Sequence, residues 1–422
     1  MNRHIATASV IGLGYIGLPT AAMFASRKVK VIGVDISQHA VDTINRGRIH
    51  IVEPELDMIV RAAVTDGWMR ATTTAEPADA FLIAVPTPFH GDHEPDISYV
   101  KAAIESIAPV LKKGDIVILE STSPVGTTEC IVKWLSQWRT DLVIASSDSD
   151  VCDVYVAYCP ERVLPGQVVR ELVDNDRIIG GINPASSKRA QEVYRVFVQG
   201  ELMLTDARTA EMAKLTENAY RDVNIAFANE LSLICDRLNI NVWELIRFAN
   251  HHPRVNILQP GPGVGGHCIA VDPWFIVNKT PDQARLIRTA REVNDGKPEW
   301  VIRKVQAQID ALTAAGKNEQ DIRIACFGLA FKPNIDDLRE SPSLDITLKL
   351  AGLYPGQVVA VEPNIEEAPA KLTNAGVRLL TQQEALERAD VLLMLVDHAE
   401  FKERIPEFRT EQRLVDAKGI WA

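Results

Sequence analysis

Three glycines between an apolar run and a helix-like run constrain this chain more than any other feature. Residues 5 to 12 (IATASVIG) read as a short strand; GLGYIG and the helical stretch LPTAAMFASR follow. The next run, KVKVIGVD, reads as a second strand ending in Asp35, eighteen residues after Gly17. Each part has a mechanical use in a strand–turn–helix–strand unit. Gly12 makes the turn, Gly14 lets the backbone approach a pyrophosphate, and Gly17 lets the helix pack on the sheet. The helix N-terminus faces the phosphates, and Asp35 can accept from both ribose hydroxyls. A carboxylate there repels a 2′-phosphate, so the expected cofactor is NAD rather than NADP. A bare GxGxxG would be compatible with an ordinary glycine turn. The strand, helix, second strand and acid in this order are what favour a dinucleotide site.

At 422 residues the chain is too long for one ordinary core, and two or three domains are expected. A net charge of −11 argues against a general nucleic-acid binder, since no basic surface faces the phosphates. It leaves room for local Arg and Lys pockets around a small anion. The six cysteines form no CxxC pair and flank no paired histidines, so neither zinc nor a disulfide framework is expected. Such spacing suits a reducing compartment. No run reaches the roughly 18 apolar residues of a membrane span. Arg3 and His4 before an apolar run loosely mimic a signal peptide, but Gly12, Gly14 and Gly17 interrupt that run. The expected location is cytoplasmic.

Strand-like and helix-like runs alternate to about residue 200. FLIAVPTP ends in Thr87 and DIVILESTSPVG in Thr122; parallel strands bind ligands beyond their carboxyl ends, so both threonines are placed to touch cofactor. VAYCPERVLPGQ runs into a loop in which Glu161 and Arg162 are expected to be exposed. From Asp206 to Leu238 there is no Pro or Gly, and apolar residues recur at helical spacing. One helix of that length spans roughly 50 Å, a spine between domains and a candidate dimer contact. Lys214, Asn218 and Arg221 fall at i, i+4 and i+7 on one face, and Ile225 and Ala228 continue it as apolar residues. That face either is a solvated stripe or turns inward, where a lysine makes a useful acid/base or oxyanion partner.

A helix over 241–250 leads through HHPRVN to GPGVGGHCIAVDP, residues 261 to 273. Gly261, Gly263, Gly265 and Gly266 flank one thiol, Cys268, with Asp272 four residues beyond. The residues alone allow a nucleophile on a loop wrapped against a ligand, or a structural turn carrying an inert thiol. Two helices, 281–294 and 298–315, follow. DIRIACFGLAFKP (321–333) then starts a second, degenerate dinucleotide-type unit, with a helix over 343–353 behind Pro342 and strands VVAVEP, VLLMLV and RLVDAKG. The expected fold is α/β: two Rossmann-like parallel-sheet domains joined by a long central helix and a helical middle. The expected boundaries are 1–205, 206–316 and 317–422.

With these residues assembled, the chain resembles the UDP-glucose/GDP-mannose dehydrogenase family nearly end to end. The resemblance is carried by GLGYIGLP, VPTP, STSPVGT, CPER, KLTENAYRDVNIAFANE, GPGVGGHC and AFKPNIDDLRESPS in the right order. It implies a double oxidation of a nucleotide sugar's primary alcohol to a carboxylate, with two NAD and one site. A thiol has a use there: its addition to the aldehyde makes a tetrahedral carbon for the second hydride transfer, and water then cleaves the thioester. The resemblance makes Cys268 the nucleophile and Lys214 the proton donor/acceptor and oxyanion partner, with Asp272 and Glu161 positioning or activating water.

For the UDP-sugar the resemblance implies Arg162, Val163, Lys214, Asn218, Arg221, His252, Arg254, Gly265, Phe331, Lys332 and Lys418. For NAD it implies Tyr15, Ile16, Asp35, Thr87, Thr122 and Arg339 beside the glycines. It further implies a homodimer, in which Arg254 reaches across to the partner. Outside that context His252 and His267 read as structural or surface histidines. Family members that oxidise UDP-glucose usually carry a lysine directly before the loop aspartate; here Val271 stands there, which speaks against glucose. Two other classes share parts of the pattern: a two-electron hydroxyacid dehydrogenase, which needs no thiol, and a nucleotide-sugar-binding regulator without activity.

Overall fold

The computed structural model describes residues 5–51, 53, 55–91, 93–163, 166–266, 268–403 and 405–421. The chain divides into two units, Met1–Glu217 and Asn218–Ala422.

The first unit is built on eight strands: β1 (Thr7–Ile11), β2 (Lys30–Val34), β3 (Met69–Thr72), β4 (Ala80–Ile83), β5 (Ile116–Leu119), β6 (Tyr155–Tyr158), β7 (Arg177–Gly181) and β8 (Leu202–Asp206). Their order is β8-β7-β6-β5-β4-β1-β2-β3. Pairing is parallel throughout except between β6 and β7. Both faces are covered, so alternate residues of one strand enter opposite cores. Val10, Leu82 and Ile118 pack on one side; Ile11, Phe81 and Val117 pack on the other. The order reverses between β1 and β4, the switch point at which such sheets hold ligands. Helix α1 (Gly17–Ser26) follows β1 directly, as the glycine spacing predicts.

Helix α2 (Ala207–Leu238) is the expected long helix, unbroken over 32 residues. In the second unit, α3 (Val242–Ala249) leads to the glycine loop and α4 (Asp272–Lys279) begins at the loop aspartate itself. The two helices expected over 281–294 and 298–315 are one helix, α5 (Arg285–Ala314), with Pro298 inside it. An internal proline costs a helix about 3 kcal/mol. Burial on both sides overrides it: Arg291, Asn294 and Lys297 are buried before it, and Val301, Ile302 and Val305 after it.

Five parallel strands complete the second unit: β9 (Ile324–Phe327), β10 (Val358–Val361), β11 (Arg378–Leu379), β12 (Val391–Met394) and β13 (Arg413–Asp416). Their order is β11-β10-β9-β12-β13, with α6 (Pro342–Leu353) entered through Ser341, whose hydroxyl accepts from the Leu344 N–H. Pro342 takes the first helical position, where a missing N–H costs nothing. No helix among the described residues is long and apolar enough to cross a membrane.

Candidate active site

The three N-terminal glycines do three different jobs. Gly12 sits at φ +90°, and a Cβ there would lie 2.5 Å from the Ala84 carbonyl oxygen on the strand across the switch point. A Cβ on Gly17 would lie 1.8 Å from the Gly12 carbonyl oxygen, so only glycine lets α1 start this close to β1. A Cβ on Gly14 would meet nothing within 4 Å, so that face of the turn is open to a phosphate. Tyr15 is partly exposed beside it, and Ile16 caps α1. Asp35 accepts the Leu13 N–H on Oδ2 and the Ser37 N–H on Oδ1, each at 2.8 Å. One bond per oxygen fixes the carboxylate and leaves acceptor capacity for two ribose hydroxyls. These residues fit NAD.

The neighbouring strand ends are tied together. Thr87 donates its hydroxyl to the Thr122 carbonyl, and Ser121 donates to the Val85 carbonyl at 2.7 Å. Glu211, on α2 and fully buried, accepts from the Gly126 N–H and from both the N–H and hydroxyl of Thr128. The loop STSPVGT is thus anchored to the start of the long helix, a contact with no local signature in the sequence.

Glu161 departs from its expected exposure. It is buried, with Oε1 accepting the Arg162 N–H at 2.9 Å and Oε2 paired with Arg177 at 2.8 Å. The guanidinium explains how a carboxylate can sit there at all, because an unpaired buried charge is prohibitively costly. Arg162 is half-buried and pairs with Glu217 at 2.7 Å. Val163 packs partly buried against the core. Lys214 is half-buried, one helical turn before Asn218.

In the second unit, Cys268 is exposed at the head of a turn. Its carbonyl accepts the Val271 N–H at 3.2 Å and the Asp272 N–H at 2.9 Å. Asp272 is buried at the first position of α4 and accepts from Asn218 Nδ2. The thiol and carboxylate therefore bracket one turn, with the carboxylate fixed from α2. His267 lies outside the described residues.

The loop glycines have a packing reason within the chain. A Cβ on Gly265 would lie 2.5 Å from the Glu340 carbonyl oxygen and 2.8 Å from Phe331 Cβ. Gly266, at φ +82°, donates its N–H to that same carbonyl at 3.3 Å. The loop packs against its own chain, on the segment carrying Phe331, Lys332 and Arg339. Lys332 Nζ lies 5.9 Å from the centre of the Phe331 ring, and Arg339 is held by Asp337. Lys418 Nζ sits 3.7 Å from the position of a Gly261 Cβ and pairs with Asp397 at 3.1 Å. It lines a cavity of about 660 Å³ with Trp243, Arg247, His251, Gln259 and Lys402. His252 accepts the Arg254 N–H at 3.3 Å, and both residues are exposed.

The inward face of α2 is more polar than expected. Asn218, Asp222, Asn229 and Ser232 are buried there, whereas Arg221 is exposed: the inward turn passes beside it. Asn229 accepts the Gly261 N–H at 2.9 Å and donates to Asn294 at 2.8 Å. Asn294 donates to Asp222 at 2.8 Å, and Arg291 pairs with Asp222 at 2.7 Å. This ladder fixes where the glycine loop begins. Lys297 is buried on the same side, donates to Ser232 and lies 3.8 Å over the Trp300 ring; burial lowers its pKa to about 7.

The second unit repeats the first turn in closed form. Gly328 has φ +90°, as Gly12 does, and Glu362 at the end of β10 accepts the Leu329 N–H at 2.7 Å, as Asp35 accepts that of Leu13. Here the acid is buried and also accepts from the Ala330 N–H, and His398 Nε2 lies 3.1 Å from it. His398 Nδ1 accepts the Asn334 N–H at 3.0 Å, so Nε2 carries the proton donated to Glu362. Ala330 stands where Gly14 would be. The turn has become a support for the Phe331–Lys332 loop.

The family's NAD binding domain matches residues 6–198, its central domain residues 208–296 and its UDP binding domain residues 325–422. The chain is 65% identical over 418 residues to the UDP-N-acetyl-D-mannosamine dehydrogenase of Escherichia coli strain K12, covering 99% of both chains. It is 61% identical over 416 residues to the NDP-N-acetyl-D-galactosaminuronic acid dehydrogenase of Ralstonia nicotianae, covering 99% of this chain and 96% of the other. Among solved structures, the UDP-D-ManNAc dehydrogenase of Pyrococcus horikoshii superposes with a TM-score of 0.86 at 38% identity, over 98% of this chain and 96% of that one. A Staphylococcus aureus UDP-N-acetyl-mannosamine dehydrogenase gives 0.83 at 44%, over 98% and 95%. The glycine turn with Asp35 and the matches along the whole chain lead to one conclusion: this chain belongs to the UDP-glucose/GDP-mannose dehydrogenase family and is an NAD-dependent nucleotide-sugar dehydrogenase.

Proposed function

We propose that the protein oxidises UDP-N-acetyl-D-mannosamine to UDP-N-acetyl-D-mannosaminuronate through a covalent intermediate on Cys268. The observation that carries this reading is the placement of an exposed thiol at the head of the turn whose last residue, Asp272, is buried and fixed by Asn218. NAD, when bound, takes up one hydride at each of two oxidations. In the first, Lys214 holds or moves the proton of the sugar's primary hydroxyl. The Cys268 sulfur then adds to the aldehyde carbon, giving a thiohemiacetal whose oxygen Lys214 stabilises. Loss of the second hydride leaves a thioester. Water, oriented by Glu161 and Asp272, adds to it, the C–S bond breaks, and the thiol is regenerated with the carboxylate.

The working division of labour is residues 1–205 for NAD, 206–316 for the long helix and thiol loop, and 317–422 for the UDP-sugar. Arg162, Val163, Asn218, Arg221, His252, Gly265, Phe331, Lys332 and Lys418 serve the nucleotide sugar; arginine and lysine clamps match its two phosphates. Tyr15, Ile16, Asp35, Thr87, Thr122 and Arg339 serve NAD. The mannosamine configuration rests on the 65% identity to the E. coli enzyme. The Ralstonia relative at 61% supports an N-acetylgalactosamine substrate as the second reading. Initial rates of NADH formation decide: UDP-N-acetylmannosamine should exceed the N-acetylglucosamine, N-acetylgalactosamine and glucose nucleotides by at least about tenfold. A faster rate on any of the other three overturns the assignment.

The protein works as a cytoplasmic homodimer in this reading, with Arg254 completing the partner's site. Tyr220, Phe227 and Ile234 recur every seven residues on α2, and all three are exposed, an apolar stripe of the kind that pairs helices. Sedimentation at assay concentration should give twice the chain mass; a single-chain mass contradicts the assembly.

A further inference from the structure

The one antiparallel pairing in the eight-stranded sheet has a chemical consequence. Tyr158 faces Gly180 and Ala157 faces Gly181 across β6 and β7. Because β7 runs backwards, its first residue, Arg177, arrives at the carboxyl edge of β5 and β6, where a parallel strand would deliver its last. There Arg177 is 3% exposed, pairs with Glu161 Oε2 at 2.8 Å and places Nη1 4.0 Å from Cys159 Sγ. Its guanidinium lies 4.7 Å from the centre of the Tyr194 ring and 5.6 Å from that of Phe197. Tyr194 in turn donates its hydroxyl at 2.6 Å to Glu120, which follows β5 and is 2% exposed. The other Glu120 oxygen has no hydrogen-bond partner among the described residues. Two buried carboxylates are thus gathered around one guanidinium.

We propose that Arg177 and Glu120 are positioning residues for Glu161: Arg177 sets where that carboxylate points, and the protonation state of Glu120 sets how readily it accepts a proton from water. The inference rests on the reading above in which Glu161 activates the water that cleaves the Cys268 thioester. The groups facing Glu120 are Tyr194, Arg177, Glu161 and Cys159. Burial, and then the like charge of Glu161, push its pKa up to about 7; burial pushes the Cys159 thiol up to about 12 and keeps the Tyr194 phenol protonated. Of Glu120, Cys159 and Tyr194, only Glu120 changes charge near neutrality. Below that point it is neutral, and the whole charge of Arg177 acts on Glu161. Above it Glu120 ionises, and two carboxylates share the guanidinium. The added negative charge offsets part of the guanidinium charge that opposes proton transfer from water, so thioester hydrolysis speeds up as Glu120 ionises through about pH 7.

The test uses the full-length enzyme with NAD and UDP-N-acetylmannosamine, measuring kcat from about pH 5.5 to about 9 and the covalent thioester by acid quench and intact mass. Wild type should show a rising limb near pH 7. Glu120→Gln keeps an acceptor for Tyr194 but cannot ionise. It should lose the limb, run about threefold slower at high pH and accumulate thioester, with both KM values unchanged. Tyr194→Phe keeps the ring under Arg177 but removes the donor that favours ionised Glu120, so its limb should move to higher pH. An E120Q profile superimposable on wild type, or a uniform loss at every pH without thioester, overturns the proposal. If E120Q does not fold, a Y194F limb that stays in place does the same. If wild type releases only one NADH and no uronate, the two-step reading itself fails; two NADH with an unaltered E120Q removes this inference alone.

Discussion

Cys268→Ser is expected to form no uronate: product should fall by at least about a thousandfold, with no more than one NADH per sugar. A serine hydroxyl is a far poorer nucleophile at neutral pH than a thiol, and no thioester can form on it. The residue is exposed, and its backbone carbonyl accepts from the Val271 and Asp272 N–H groups, bonds that a serine keeps. Loss of product at unchanged thermal stability would therefore be chemical. Wild-type uronate formation by this variant would remove the thiol from the account.

The second large effect is expected at Gly17. Gly17→Ala places a methyl 1.8 Å from the Gly12 carbonyl oxygen, a backbone atom with no rotamer to escape into. Either α1 moves off β1 or the turn opens. The expected loss is about 3 kcal/mol or more of stability, together with NAD binding. Gly14→Ala is the control, because its methyl would meet nothing within 4 Å. It should leave stability within about 0.5 kcal/mol yet raise the KM for NAD, since the open space is where a pyrophosphate approaches. Thermal unfolding and NAD titration of the two variants check the pair. A Gly17→Ala protein as stable as wild type would contradict the described packing.

What could be read from the sequence was local. The strand, turn, helix and acid of the first unit lie within about thirty residues, and each step has its own residue signature, from Gly12 to Asp35. The long helix was legible because nothing between Asp206 and Leu238 breaks one. What escaped depends on distant partners. Arg177 reaches Glu161 because the sheet turns antiparallel at β7, and nothing in RIIGG announces that direction. Asn229 meets Gly261 and Asn294 across 32 and 65 residues, and a buried asparagine looks like any other until its partners are placed. Helical periodicity put Arg221 beside Asn218, but a helix face is wide enough for one to be buried and the other exposed. The helices expected over 281–294 and 298–315 are one because a proline's cost is local, while the burial that overrides it at Pro298 comes from both flanks of α5. The loop glycines alone allowed a ligand loop or a structural turn; their closeness to Phe331 and Glu340 depends on a segment more than sixty residues away.

In the proposed reaction one thiol lets one protein oxidise the same carbon twice. Its most direct test is the number of NADH molecules formed per molecule of limiting UDP-N-acetylmannosamine, with the sugar product identified by mass. Two are expected, with the uronate as product; one NADH with the sugar left at the aldehyde would contradict a second oxidation through the thiol.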